Sequence, residues 1–223
     1  MGLGLRKPSI PRFLQQRVAR ARVGEEACSL HDLAGQPPSP VAHERAGSLL
    51  DEPPGRPRLE HAIFLEPALV QRAADAGAIA VVQPFFIYDM VGDIAAEVPL
   101  PRPIETLPLR RMLDAGVVVA GSSDYPVSHY DVLAAAKAAA TRRTRLGNVC
   151  EPEQAIGVGE VLRAYTRGGA AALGIEQQAG TIEPGKRADL VVLSADPVRT
   201  DPDRIDDLAI LRTYVGGQLA YEA

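Results

Sequence analysis

The 223-residue sequence contains no tryptophan and only two cysteines, and aromatic residues make up 4% of it. Cys28 and Cys150 lie far apart in the chain and lack the spacing of a metal site, which argues against a disulfide scaffold. A chain without a disulfide framework is typical of a reducing compartment. We therefore expect a cytoplasmic protein whose two thiols are structural.

Long apolar runs and a strong excess of one charge are also missing. No segment approaches the roughly 18 consecutive apolar residues of a membrane-spanning helix. The start of the chain does not show a basic segment, an apolar segment and a cleavage site in that order. A net charge of -4 gives no general field that would attract nucleic acid or an anionic membrane. The sequence therefore predicts a soluble protein with no nucleic-acid partner and no membrane partner.

Proline divides the chain near residue 56. Residues 1–55 are rich in proline and, apart from a basic, weakly amphipathic stretch at 12–22, show no sustained period of 2 or 3.6. The prolines of this part are Pro8, Pro11, Pro37, Pro38, Pro40, Pro53 and Pro54. This pattern predicts a poorly ordered N-terminal arm over 1–55.

Strand and helix patterns alternate from residue 56 onward. The apolar patterns predict strands at 58–61, 78–82 and 117–120, and helices at 67–76, 107–115 and 130–143. A long loop punctuated by proline is expected between the second strand and about residue 105. The order of strand and helix, repeated three times, is typical of parallel βα units.

The C-terminal part of the chain, from about residue 159, changes character. A helix is expected at 159–173, and strands are expected at 189–193, 210–215 and 218–221. Gly216 and Gly217 lie between the last two strands, which is typical of a tight hairpin turn. This end of the chain is therefore predicted to be an antiparallel sheet.

Two polar residues follow predicted strands, where the reactive side chains of parallel βα barrels lie. Strand alternation places Leu59 and His61 on one face. Asp124 follows a Gly-Ser-Ser turn that exposes its carboxylate. Imidazole nitrogen and carboxylate oxygen are ordinary zinc ligands, and a carboxylate can take the proton of an activated water.

Each of these signals has a structural alternative. A histidine at a strand end can serve as a hydrogen-bonded structural residue, and an aspartate after such a turn can be a helix cap or a turn residue. Two ligands do not complete a metal site, because structural zinc takes four protein ligands and catalytic zinc about three. The other histidines, His31, His43 and His129, show no paired spacing.

Five segments between about residue 56 and the end of the chain form a recognisable set. They are Arg58-Leu59-Glu60-His61-Ala62, Val82-Gln83-Pro84, Gly121-Ser122-Ser123-Asp124-Tyr125-Pro126-Val127, Arg163-Ala164-Tyr165-Thr166 and the block from Gly180 to Leu193. In their order and spacing these segments resemble the amidohydrolase superfamily, and within it amidohydrolase family 3, the branch of the N-substituted formamide deformylases.

The resemblance implies a fold and a set of site residues. It implies an α/β chain in which 56–175 form part of a (β/α)8 TIM-type barrel, strands six to eight. Residues 176–223 correspond to the C-terminal part of a small β-sandwich domain. His61 and Asp124 correspond to ligands of a divalent metal, zinc by expectation, and Asp124 also to the general base. Gln83 corresponds to a residue that lines the pocket, although a simple strand-end cap is an equal alternative.

The departures from the family pattern are as informative as the match itself. Family members carry a His-x-His pair on strand one, a bridging carboxylated lysine or equivalent, and a histidine after strand five. His31 lies near the place of that last histidine but lacks a preceding apolar strand. Residues 1–55 are also too short for five βα units, since a complete barrel takes about 250 residues.

We therefore expect a metal-dependent amidohydrolase that cleaves non-peptide carbon–nitrogen bonds in small-molecule amides, represented here by a truncated chain that is inactive alone. The alternative is a noncatalytic interaction protein, or a subunit that completes its barrel with a second polypeptide. Self-association, or a missing N-terminal polypeptide, is expected in either case, because three parallel strands cannot close a barrel.

Overall fold

The computed structural model describes residues 56–97 and 103–223. The predicted arm at 1–55 lies outside the described residues. The strands are β1 (Arg58–Glu60), β2 (Phe64–Leu65), β3 (Ile79–Val82), β4 (Glu105–Thr106), β5 (Val118–Gly121), β6 (Leu190–Leu193), β7 (Ile210–Val215) and β8 (Gln218–Glu222). The α-helices are α1 (Pro67–Asp75), α2 (Phe86–Asp89), α3 (Gly92–Glu97), α4 (Leu109–Asp114), α5 (Val132–Thr141), α6 (Val158–Arg163) and α7 (Gly169–Ala172).

A parallel sheet with the order β1-β3-β5 forms the centre of the fold, which confirms the predicted βα units. Val81 of the middle strand pairs with Glu60 on one side and with Ala120 on the other. All four residues of β3 are buried, as expected for a parallel strand covered on both faces. The mixed α/β class predicted from the sequence is therefore correct.

The helices of the βα units begin and end at residues that are typical of helix termini. Pro67 opens α1, and Gly77 follows it with a φ of +63°, a left-handed conformation that glycine adopts without steric cost. Asp131 caps α5, since its carboxylate accepts hydrogen bonds from the backbone N–H of Leu133 at 2.8 Å and of Ala134 at 3.2 Å.

The segment predicted as one long loop contains two short helices, α2 and α3, and the strand β4. Phe86 and Ile87 of α2 are almost fully buried in the main core. Strand β4 pairs antiparallel with β2 over two residues. Elements of two to six residues are too short to show a period in the sequence, which is why the prediction missed them.

Helices α6 and α7 are joined by a single π-helical segment, Ala164–Gly168, so the predicted helix at 159–173 is one continuous helical stretch with a local widening. Gly168 packs directly on strand β5. A Cβ atom at this position would lie 2.1 Å from the carbonyl oxygen of Val119, so only glycine allows the approach. This contact sets the distance between the helix and the sheet.

The three C-terminal strands form an antiparallel sheet with the order β6-β7-β8, as predicted, and we refer to it as the tail sheet. Gly216 and Gly217 both have positive φ in the hairpin turn. Several apolar side chains of the tail sheet are exposed, among them Val191 (57%), Val215 (60%) and Leu219 (50%). Within the described ranges, no helix combines the length and the apolar character needed to cross a membrane.

Arg142 ties the end of α5 to the loops around it. Its side chain is fully buried and donates hydrogen bonds to the carbonyl oxygens of Cys150 (2.8 Å), Leu107 (3.1 Å) and Thr106 (2.8 Å). Glu151 lies 4.0 Å from the same guanidinium group. The buried charge is therefore held mainly by three carbonyl oxygens, those of Thr106 and Leu107 at the end of β4 and that of Cys150.

Replacement of Arg142 by methionine is expected to lower the free energy of unfolding by roughly 3 kcal/mol or more, because three buried carbonyl oxygens lose their donor. Urea denaturation followed by circular dichroism measures the change. Arg143→Met is the matched control, since this neighbour pairs with Asp203 at 3.4 Å with both side chains more than half exposed. Equal loss in both variants would contradict the stabilising role of Arg142.

The purified chain is expected to self-associate. Strands β1 and β5 are the edges of the parallel sheet in the described part of the chain, and the tail sheet exposes apolar side chains. Size-exclusion chromatography with light scattering should therefore give a mass above that of the monomer. A monodisperse monomer with a cooperative thermal transition would show that the edges are covered.

Candidate metal centre

His61 and Asp124 come together at the carboxyl ends of the strands of the parallel sheet. His61 directly follows β1, and Asp124 comes three residues after β5. The Nδ1 atom of His61 lies 4.0 Å from Oδ2 of Asp124, with 49% of the histidine side chain and 37% of the aspartate side chain exposed. Two side chains separated by 63 positions in the sequence thus face one accessible site.

Both residues have left-handed backbone conformations, with φ of +68° for His61 and +54° for Asp124. His61 is therefore outside the strand, and the predicted alternation that placed it on the face of Leu59 does not apply. Hydrogen bonds hold the two conformations, from His61 N–H to Val81 O at 2.8 Å and from Val127 N–H to Asp124 O at 2.7 Å. Such backbone strain, on the order of 1 kcal/mol per residue, concentrates at functional sites.

Gln83 connects the two strand ends beneath this pair. Its side chain is 2% exposed, its Oε1 lies 3.1 Å from Nδ1 of His61, and its Nε2 donates to Oγ of Ser122 at 2.7 Å. The structure thus places Gln83 under the candidate ligand, in contact with it, as more than a cap on its own strand.

Tyr165 is a site-supporting residue that sequence reasoning missed. Its hydroxyl donates to the carbonyl oxygen of Ser122 at 2.9 Å, and its ring lies so close to Gly121 that a Cβ there would be 2.5 Å from it. Burial raises the pKa of the Tyr165 phenol well above its usual range, so it remains a hydrogen-bond donor. The motif around Tyr165 contributed to the family resemblance, but nothing in it indicates a partner 43 positions away.

A row of five aromatic rings lies beside the site, on the segments that follow β3 and β5. In order, the rings belong to Tyr88, Phe85, His129, Tyr130 and Tyr125, with successive centroids 5.3, 6.2, 5.0 and 5.4 Å apart. Tyr125 directly follows Asp124, and it is 66% exposed. We refer to these five residues as the aromatic row, an accessible apolar surface next to the candidate ligands.

The donor types of the pair suit a divalent metal, but their number does not. Among residues 56–97 and 103–223, no cluster of three or more His, Cys, Asp or Glu side chains could hold a metal ion. His129 is engaged elsewhere, because its ring stacks on Tyr130 and its Nδ1 faces the backbone N–H of Asp131 at 3.2 Å. His31 and His43 lie outside the described residues. The described chain thus supplies two donors, whereas catalytic zinc usually has three protein ligands.

A surface cavity of about 460 Å³ lies elsewhere, between α1, α4 and the 3-10 helix at Pro152–Gln154. Its lining includes Val70, Arg110 and Glu153 but neither His61 nor Asp124. The cavity is on the helical side of the fold and not at the strand ends, so it does not mark the candidate centre.

Comparison with known proteins gives concordant results. A model of the Amidohydrolase family matches residues 41–221. The chain is 39% identical over 167 residues to the N-substituted formamide deformylase of Arthrobacter pascens, a match that covers 74% of this chain and 31% of that protein. The chain spans about a third of the length of the curated relatives that it matches.

Solved structures share the fold. An adenosine deaminase from Xanthomonas campestris with bound zinc superposes with a TM-score of 0.58 at 24% identity, over 85% of this chain and 42% of that structure. An amidohydrolase from Thermotoga maritima gives a TM-score of 0.56 at 20% identity, over 82% of this chain and 40% of that structure.

The motifs first seen in the sequence, the family match over most of the chain and the identity to the deformylase all point the same way. The chain belongs to the amidohydrolase family.

Proposed function

We propose that this chain is part of a metal-dependent hydrolase that cleaves carbon–nitrogen bonds other than peptide bonds in small-molecule amides. The observation that carries the proposal is the 4.0 Å approach of His61 and Asp124 at the edge of the parallel sheet. Family membership supports it, since the similar Arthrobacter protein is named as a deformylase of N-substituted formamides.

In this proposal, residues 56–175 form strands six to eight of a (β/α)8 barrel with their helices, and 176–223 contribute to a small β-sandwich domain. The parallel order β1-β3-β5 and the change to antiparallel pairing in the tail sheet support this division. The low cysteine content and the net charge of -4 support a cytoplasmic location without a nucleic-acid or membrane partner.

His61 and Asp124 would hold the divalent metal, which we propose to be zinc. Bound there, the metal supplies Lewis acidity and lowers the pKa of a bound water. Because the described residues provide two donors, the proposal requires at least one more from outside them. A site with only these two donors would leave the chain inactive alone.

Asp124 carries the proton chemistry in this proposal. Its carboxylate is 37% exposed, so both a hydrolytic water and a leaving group can reach it. The carboxylate accepts a proton from that water and returns it to the departing amine nitrogen, as a general base that becomes a general acid. His61, 4.0 Å away, fixes one side of the same site.

The aromatic row supports a substrate with an apolar N-substituent. Aromatic faces bind flat or aliphatic groups by stacking and apolar contact. Because Tyr125 directly follows Asp124, a formamide-type carbonyl at the carboxylate would place its N-substituent within reach of these rings. We therefore favour amides whose N-substituent is a flat or aliphatic group.

A second candidate is a noncatalytic subunit that completes its barrel with a second polypeptide. The observation that favours it is the set of exposed apolar side chains on the tail sheet, together with the open edges of β1 and β5 in the described part. Such surfaces are typical of protein contacts. The two candidates are separated by whether added polypeptide restores hydrolysis or only assembly.

Zinc is expected to bind this chain weakly and to be lost on dialysis against a mild chelator, because two donors give little chelation. Isothermal titration calorimetry should show the remaining binding abolished by His61→Ala and by Asp124→Asn. His129→Ala, whose ring is engaged with Tyr130, is the matched control and should bind as the unmodified chain does. Retention of one equivalent of zinc after dialysis would reveal a third donor, with His31 as the first candidate.

Hydrolysis of N-formyl amines is expected to be undetectable with this chain alone. A longer form that supplies the further donors should be active, and Asp124→Asn should lower its kcat/KM by at least about 100-fold, since the amide keeps the shape but cannot accept a proton. Asp114→Asn, whose side chain is 64% exposed on α4, serves as the control. Full activity of the Asp124→Asn form would exclude this residue from proton transfer.

A further inference from the structure

The side chain of Gln83 lies between His61, a candidate metal ligand, and Ser122. The two ends of its buried amide meet different partners, Nδ1 of His61 at 3.1 Å and Oγ of Ser122 at 2.7 Å. An amide has one end that accepts hydrogen bonds and one that donates them. Its orientation therefore decides which ring nitrogen of His61 carries the hydrogen.

The main chain sets that orientation. Oγ of Ser122 lies 3.3 Å from the carbonyl oxygen of Val82, which can only accept, so the single hydroxyl hydrogen of Ser122 points there. The lone pairs of Ser122 are left to accept from Gln83, which places the NH2 end of the amide at Ser122. The oxygen end then faces His61.

The surroundings of His61 Nδ1 agree with this direction. Its neighbours are the amide oxygen of Gln83 at 3.1 Å and Oδ2 of Asp124 at 4.0 Å, and both are acceptors. Nδ1 is therefore the nitrogen that carries the hydrogen when the ring is neutral, and the free lone pair of that tautomer lies on Nε2. A nitrogen that is to bind a metal has to present such a lone pair.

Ser122 itself is held on two sides. The backbone N–H of Ser122 donates to Val82 O at 2.8 Å, and the hydroxyl of Tyr165 donates to Ser122 O at 2.9 Å. Hydrogen bonds at the backbone N–H and the carbonyl oxygen of Ser122 thus hold this residue in place. The direction of the hydrogen bonds is consequently set by carbonyl oxygens, which can only accept.

We propose that Gln83 is a positioning residue that holds His61 as the Nδ1–H tautomer and leaves the lone pair of Nε2 free to bind a metal. A fixed N–H on the far ring nitrogen is how proteins generally orient a ligating histidine. The use of Nε2 for metal binding rests on the proposed function, whereas the tautomer itself does not.

The test is the ring-nitrogen spectrum of His61 in the full chain labelled with 15N. The spectrum is recorded by magic-angle-spinning NMR, because this method does not require a monomer. The sample is kept at pH 8.5, where an ordinary imidazole is neutral. His61→Asn identifies the signals among the four histidines. We expect a pyrrole-type signal for Nδ1 and a pyridine-type signal for Nε2. In Gln83→Leu we expect the two signals to move toward each other as the Nε2–H form becomes populated.

Ser122→Ala separates positioning from packing, because it leaves Gln83 in place but removes the hydroxyl that orients it. We expect a partial shift of the same kind in this variant. Ser123→Ala is the matched control, since Oγ of Ser123 only accepts from the Tyr125 N–H at 3.3 Å, outside this network. An Nε2–H ring in the unmodified chain, or an unchanged spectrum in both Gln83→Leu and Ser122→Ala, would overturn the proposal.

Zinc added to the same sample distinguishes the two proposals. A change in the Nε2 signal of the unmodified chain, reached only at a roughly tenfold higher zinc concentration in Gln83→Leu, is expected if both are correct. An Nε2 signal that is free but indifferent to zinc would count against the metal site and leave the positioning role of Gln83 intact.

Discussion

Parallel pairing of β1 and β5 with the central strand β3 is the constraint on which the site depends. Parallel strands direct their carboxyl ends to one edge, and the register pairs Val81 with both Glu60 and Ala120. The residues that follow each strand, His61, Gln83 and Ser122, therefore meet although they come from distant parts of the chain. A shift in register would separate them and would also turn the buried side chains of β3 away from their partners.

The sequence predicted the fold of the described residues well because its signals are local. Gly77 and Gly116 mark helix ends, and the apolar run at 78–82 reads as a buried strand without knowledge of its neighbours. The family resemblance added what these patterns could not, namely the expectation that the three βα units correspond to part of a longer chain, and the chain spans about a third of the length of the relatives that it matches. The short helices α2 and α3 stayed hidden because four to six residues do not define a period.

The candidate site was predictable only in part. His61 and Asp124 were chosen because polar residues after parallel strands converge, and the structure brings them together. The left-handed backbone at His61 was not foreseen, since strand alternation describes extended chain only. Tyr165 and the orientation of Gln83 depend on partners about forty residues away, and no pattern within one segment encodes such a partner.

Most of the hydrogen bonds that orient His61 end on main-chain carbonyls, those of Val82 and Ser122, and two glycines, Gly121 and Gly168, permit the close contacts around them. The aromatic row, in contrast, consists of partly or largely exposed side chains on the segments after β3 and β5. Its rings can therefore be exchanged without disturbing the atoms that orient His61. A scaffold of this kind can diversify in what it accepts while its chemistry stays the same.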